Sequence, residues 1–176
     1  MPWGISSRFL LEIVETIAEA IGDERVGVKT GPATRESGAF VSTEETLPTS
    51  EYVMRKLSEF ELSHLLLMGA MVDLSTTPFA KLAGDGMFRH FRKIYRGNFI
   101  ANVDFDRDRG NRLIQEGLVD LVAFGRLFIA HPDLPARFAT GASLAEADKA
   151  SIYGATERGY TDYPPVEISV TATFSK

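Results

Sequence analysis

The chain has 176 residues, of which 44% are hydrophobic and 24% charged, as expected of a soluble globular protein large enough to bury a core. It contains no cysteine, which excludes disulfides, thiolate nucleophiles and zinc–sulfur sites, and its net charge of −5 argues against a nucleic-acid partner. No apolar run is long enough to span a membrane, no signal peptide is evident and the three histidines are scattered, so we expect a cytoplasmic protein without a metal.

Short apolar strands alternate with amphipathic helices along the first half of the chain. Apolar residues recur at three- and four-residue steps over 7–21, which predicts a helix capped by Ser6–Ser7. A short strand follows at 26–30, and a second helix is predicted over 50–62. The continuous apolar run at 64–68 predicts a strand buried on both faces, as in a parallel sheet.

The same alternation continues through the second half of the chain. The pattern predicts helices over 86–96 and 106–117, strands at 98–103 and 121–125, and a turn with a short helix at 129–138. Four strands that alternate with helices indicate a sheet of βα repeats.

The tail has a different pattern. Apolar and polar residues alternate strictly over 166–174, which predicts a strand with one dry and one solvated face. We interpret it as an added element that covers an open sheet edge or pairs with a second subunit.

Three segments resemble one known family. Residues 118–135, which include Asp120-Leu121-Val122-Ala123-Phe124-Gly125-Arg126, closely resemble the last strand and following loop of the old yellow enzymes. These are ene-reductases that use flavin mononucleotide (FMN) and fold as a (βα)8 barrel. Residues 158–164 look like the closing motif of that family, and 7–12 look like the start of its middle helix.

The order and spacing of these segments agree with strands five to eight of the family. The resemblance therefore implies an α/β fold that is half of a (βα)8 TIM barrel over 1–165, followed by a strand extension over 166–176. Such a half barrel lacks the family's proton donor and its His/Asn pair for the substrate carbonyl. We therefore expect different chemistry from that of a whole barrel.

The remaining flavin contacts are altered relative to the family. Lys29 replaces a flavin-contacting arginine, and the segment 102–104, Asn-Val-Asp, replaces a glycine-rich turn, while Gly125 and Arg126 keep their expected form. A carboxylate at Asp104 about 4 Å from a phosphate would cost about 4 kcal/mol at an effective dielectric constant of 20. We therefore expect no cofactor, with FMN as the alternative. In another interpretation Asp104 points to solvent and caps the next helix.

Without a cofactor, the chain could act as an isomerase or epimerase that removes and returns a proton beside a carbonyl. Asp104 is the first choice for the base, with Asp73 and then Glu36 as alternatives. Lys29 or Arg126 would stabilise the enolate oxygen, or Lys29 would itself be the base. The expected substrate-binding residues lie near the carboxyl ends of the strands: Arg126, Asn102, Met68, Phe128, Tyr160 and Glu36.

The resemblance implies a setting in fungal polyketide biosynthesis, where old yellow enzyme-like proteins act as epimerases on hydrophobic natural products. Two alternatives stay open: an FMN-dependent ene-reductase rebuilt when two half barrels dimerise, and a non-catalytic binding partner. Because a half barrel exposes two sheet edges and an apolar face, we expect a homodimer.

Overall fold

The computed structural model describes five stretches of the chain: residues 2–32, 43–70, 73–75, 79–153 and 156–166. The chain divides into two compact units, 1–123 and 124–176. The predicted tail strand at 166–174 lies outside the described residues except for Val166, which is not in a strand. The domain boundary at 165 therefore stays a prediction.

The first unit contains a sheet of four strands with the helices that connect them. The strands are β1 (Gly27–Thr30), β2 (His64–Met68), β3 (Phe99–Asn102) and β4 (Leu121–Ala123). The helices of this unit are α1 (Pro2–Ile21), α2 (Thr46–Leu57), α3 (Gly86–Arg92) and α4 (Arg107–Gln115). All strand pairs are parallel and the order is β1-β2-β3-β4, which confirms the predicted βα-repeat sheet.

The helix boundaries differ from the prediction mainly at the amino ends. α1 begins at Pro2, which a first helical turn tolerates, so Ser7 lies inside the helix and is buried instead of capping it. α2 begins at Thr46, whose hydroxyl oxygen accepts a 2.9 Å hydrogen bond from the backbone N–H of Thr43. The capping of α4 is clearer, because the Asp106 carboxylate accepts a 2.7 Å bond from the N–H of Arg109.

Only one face of the sheet is fully buried. The side chains of that face alternate along the strands and are all less than 10% exposed: Val28, Leu65, Leu67, Phe99 and Ala101. On the other face Leu66 and Ile100 are half-buried, and Leu121 is 57% exposed. The prediction that both faces of β2 are buried is therefore wrong for the described part of the chain, in which only one of them is covered. The open face is defined here by Lys29, Leu66, Ile100 and Leu121, which lie side by side in the register.

The second unit contains two short helices, α5 (Arg126–Ala130) and α6 (Leu134–Thr140). The buried His131 ring accepts a 2.8 Å bond at Nε2 from the N–H of Ala145, so its Nδ1 donates to the carbonyl of Leu127 at 2.7 Å. Both ring nitrogens of His131 are therefore hydrogen-bonded to backbone groups, which indicates a structural role. Among the described helices of both units, none combines the length and hydropathy that a membrane span requires.

Candidate functional site

The carboxyl ends of β2, β3 and β4 lie next to each other in the first unit. Met68 is paired in register with Asn102, and Asn102 with Ala123. The Asn102 side-chain amide donates a 2.8 Å hydrogen bond to the backbone carbonyl of Ala123. The backbone carbonyl of Asn102 accepts a 2.9 Å bond from the N–H of Gly69. The amide of Asn102 thus joins the ends of β3 and β4, and substrate binding by Asn102 stays a prediction.

The turn after β3 has an unusual backbone. Val103 and Asp104 have φ angles of +85° and +59°, in the left-handed region that favours glycine. For residues with a Cβ atom this conformation costs about 1–2 kcal/mol each, and a β-branched side chain such as that of Val103 makes it rarer still. The chain thus keeps a glycine-like backbone at the two positions where its sequence departs from a glycine-rich turn.

An open cavity of about 440 Å³ lies beside this turn. Its walls come from the ends of β2 and β3 and from the loop before α3, and they include Gly69, Asp73, Asp85, Val103, Asp104 and Arg109. The cavity therefore brings together two of the predicted site residues, Asp73 and Asp104. It also includes an aspartate and an arginine, Asp85 and Arg109, that no motif or spacing in the sequence singles out.

Asp73 does not have the properties expected of a general base. Its carboxylate accepts bonds from the N–H of Ser75 at 2.9 Å and from the Ser75 hydroxyl at 2.8 Å. The backbone bond, followed by the hydroxyl bond, holds the pKa of Asp73 below its ordinary value. A base that removes a proton beside a carbonyl needs a raised pKa, so this local turn opposes the expected role.

Asp85 is the most constrained acid of the cavity wall. It accepts hydrogen bonds from Arg109 Nε at 2.9 Å and from Arg112 Nη2 at 2.7 Å. Partial burial raises the pKa of this carboxyl, but the bonds and charges of the two arginines together outweigh burial and lower the pKa.

We therefore expect the contacts of Asp85 with Arg109 and Arg112 to make the stability of the folded protein fall at acid pH. Because the folded-state pKa of Asp85 lies below the unfolded value of about 3.9, its contribution to stability is fully present above that pH and is lost as the pH falls further. Urea unfolding of the wild type and of Asp85→Asn between about pH 5 and pH 2 measures this. The midpoint should fall less steeply in the variant, and identical pH profiles would contradict the assignment.

The other predicted site residues that the structure describes in the first unit do not line this cavity. Lys29 is exposed on the open face. Its ammonium group forms no ion pair with any described residue. Met68 is half-buried at the end of β2, and Glu36 lies outside the described residues.

Three further candidates belong to the second unit. Arg126 is the first residue of α5 and is exposed, as are Phe128 and Tyr160. Apart from its two chain neighbours, no described residue has a heavy atom within 4 Å of the position that a Cβ atom on Gly125 would occupy, so the described part of the chain leaves space beside this glycine.

Comparisons with known proteins agree on one family. The sequence profile of the NADH:flavin oxidoreductase / NADH oxidase family matches residues 6–145. A 12-oxophytodienoate reductase of rice, Oryza sativa subsp. japonica, is 33% identical over 168 residues, covering 91% of this chain and 41% of the relative.

Solved structures give the same result. Morphinone reductase is 33% identical, with a TM-score of 0.79 over 95% of this chain and 43% of that protein. The old yellow enzyme of Trypanosoma cruzi is 29% identical, with a TM-score of 0.79 over 91% of this chain and 40% of that protein. The chain thus spans about four-tenths of the length of these proteins, and its four parallel strands match that part of their fold.

These matches contradict the expectation of a site without a cofactor, because they point to FMN. They also lend no support to a cofactor-independent epimerase or to a polyketide setting. The expected cost of Asp104 to phosphate binding assumed an isolated carboxylate, whereas the Arg109 guanidinium, which is paired with Asp85, lies 3.1 Å from the backbone carbonyl oxygen of Asp104.

Proposed function

Because this chain belongs to the NADH:flavin oxidoreductase / NADH oxidase family, we propose that it is the FMN-binding part of a reductase for carbon–carbon double bonds conjugated to a carbonyl. The observation that carries the proposal is the match to flavin reductases across nine-tenths of the chain, at about one-third identity. When bound, FMN would supply the hydride to one carbon of the double bond, and solvent water would supply the proton to the other.

The residues at the start of α5 fit the phosphate of a flavin nucleotide. The open space beside Gly125 lets an anion approach the backbone, and the exposed Arg126 supplies a guanidinium next to it. Phosphate sites commonly combine a glycine with an arginine. Glycine lets the phosphate approach the backbone closely, and the N–H groups of the arginine guanidinium match the spacing of phosphate oxygens. We assign phosphate binding to these two residues.

Lys29 is the second cation that we assign to the flavin. It lies on the open face of β1, one residue before the strand ends. Its ammonium group would hold a polar oxygen of the flavin ring or stabilise negative charge that develops there. Met68 in the first unit, and Phe128 and Tyr160 in the second, each stay predicted apolar contacts of the substrate.

We further propose that a second copy of the chain completes the barrel. Parallel sheets are normally covered on both faces, yet Leu66 and Ile100 are only half-buried and Leu121 is mostly exposed. Two copies supply eight strands, the number whose closed interior is just filled by side chains. Pairing β1 of one copy with β4 of the other would cover both sheet edges and both open faces.

Sedimentation velocity tests this assembly. At micromolar concentration the wild type should sediment as a dimer, and Leu121→Lys should sediment as a monomer because it places a charge within the covered face. Ile114→Lys on α4 is the control, since Ile114 is exposed but does not lie on the sheet. A stable wild-type monomer would contradict the proposal.

An anaerobic assay tests the function. Protein reconstituted with FMN should be reduced by NADH or NADPH and reoxidised by cyclohexenone, a simple conjugated enone. Flavin that is reduced but that the enone does not reoxidise would overturn the substrate class. Flavin that is bound but that neither nicotinamide reduces would overturn the reductase function.

A further inference from the structure

The turn at Val103 and Asp104 needs an external restraint. Both residues have positive φ angles, and neither is glycine. Without a contact that favours this conformation, the backbone would relax toward the ordinary regions of φ and ψ.

Arg109 provides such a contact. Its Nη1 donates a 3.1 Å hydrogen bond to the carbonyl of Asp104. Its guanidinium lies over the ring of Phe105, 4.3 Å from the centroid, and its backbone N–H donates to the Asp106 carboxylate at 2.7 Å. One residue thus contacts three consecutive residues, from the second residue of the turn to the cap of α4.

Asp85 fixes the guanidinium from the other side. Its carboxylate lies 2.8–2.9 Å from Nη2 and Nε of Arg109 and also accepts a bond from Arg112 at 2.7 Å. The side chains of Arg109 and Asp85 are 26% and 24% exposed, so solvent screens the pair only partly. Asp85 and Arg109 both border the cavity beside the turn, whereas Arg112 does not line it.

We infer that Arg109, held by Asp85, is a positioning residue that keeps the Val103–Asp104 turn in its left-handed conformation and thereby sets the backbone that a nucleotide phosphate meets. The second half of this inference rests on the proposed flavin function. The clamp explains how the chain keeps a glycine-like turn without glycine, since the contacts of Arg109 replace the conformational freedom that glycine supplies.

A cycle of variants tests the clamp without any ligand. Arg109→Met removes the contacts to Asp104 and Asp85, whereas the control Arg112→Met removes a bond to Asp85 but leaves the turn untouched. In urea unfolding, Arg109→Met should lower the midpoint more than Arg112→Met does. With Val103→Gly as background this difference should shrink, because glycine adopts a positive φ without help. The same difference in both backgrounds would overturn the clamp.

A comparison of two flavins tests the functional half. Riboflavin has the ring system of FMN but no phosphate. Arg109→Met should raise the Kd of FMN roughly tenfold and leave that of riboflavin unchanged, while Arg112→Met should change neither. Equal weakening of both flavins would overturn the phosphate role. If the wild type binds no FMN, the proposed function fails, and the unfolding cycle still decides whether Arg109 holds the turn.

Discussion

Replacing Leu67 by alanine is expected to lower the free energy of unfolding by about 3 kcal/mol, and the same replacement at Leu66 by about 1 kcal/mol. The two leucines are neighbours in β2, but Leu67 is fully buried under the helices, whereas Leu66 lies on the open face and is half-buried. The deletion at Leu67 therefore leaves a cavity, and the deletion at Leu66 removes a side chain that already contacts water. Urea unfolding at submicromolar protein concentration measures both losses.

The pair of variants also reports on the second copy. If a partner covers the open face, the loss at Leu66 should grow as the protein concentration rises, while the loss at Leu67 stays constant. Equal losses for the two variants at the lowest concentration would contradict the one-sided core.

Arg126→Met is expected to raise the Kd of FMN by about 10- to 150-fold, because a hydrogen bond from a charged donor contributes about 1.5–3 kcal/mol. Arg126 is the exposed first residue of α5, and the circular dichroism spectrum of the variant checks that the fold is kept. Quenching of FMN fluorescence measures the affinity. Arg96→Met is the matched control, since Arg96 is exposed and precedes β3, away from the carboxyl ends of the strands.

Two outcomes would contradict this assignment. An unchanged Kd in Arg126→Met would mean that the phosphate does not contact the guanidinium. An equal loss in Arg96→Met would mean that the arginines act only through the overall charge of the protein.

The sheet could be predicted from the sequence because its signals are local. Apolar runs such as 64–68 and 98–103 are too short for helices, and the segments between them have helical periodicity, so a parallel arrangement follows. The burial of β2 was predicted less well. The apolar run is consistent with two covered faces, but the run itself does not determine whether anything packs on the second face.

The candidate site could be predicted only in part. Position in the chain places Asp104 and Asn102 at the end of β3, yet the left-handed turn there is a property of tertiary contacts. The decisive contact joins Arg109 to Asp85, 24 positions apart, and no periodicity or motif connects them. The expectation of a site without a cofactor was wrong for another reason: it was drawn from the charge of one residue, Asp104, whereas the match to flavin oxidoreductases extends over residues 6–145.

Equilibrium dialysis of the folded wild-type protein against FMN tests the central claim most directly. We predict that FMN binds saturably and more tightly than riboflavin does. Inorganic phosphate should compete with FMN for the site. A protein that shows native circular dichroism and a cooperative unfolding transition, but retains no FMN above the level of the outer compartment, would contradict the flavin function proposed for this chain.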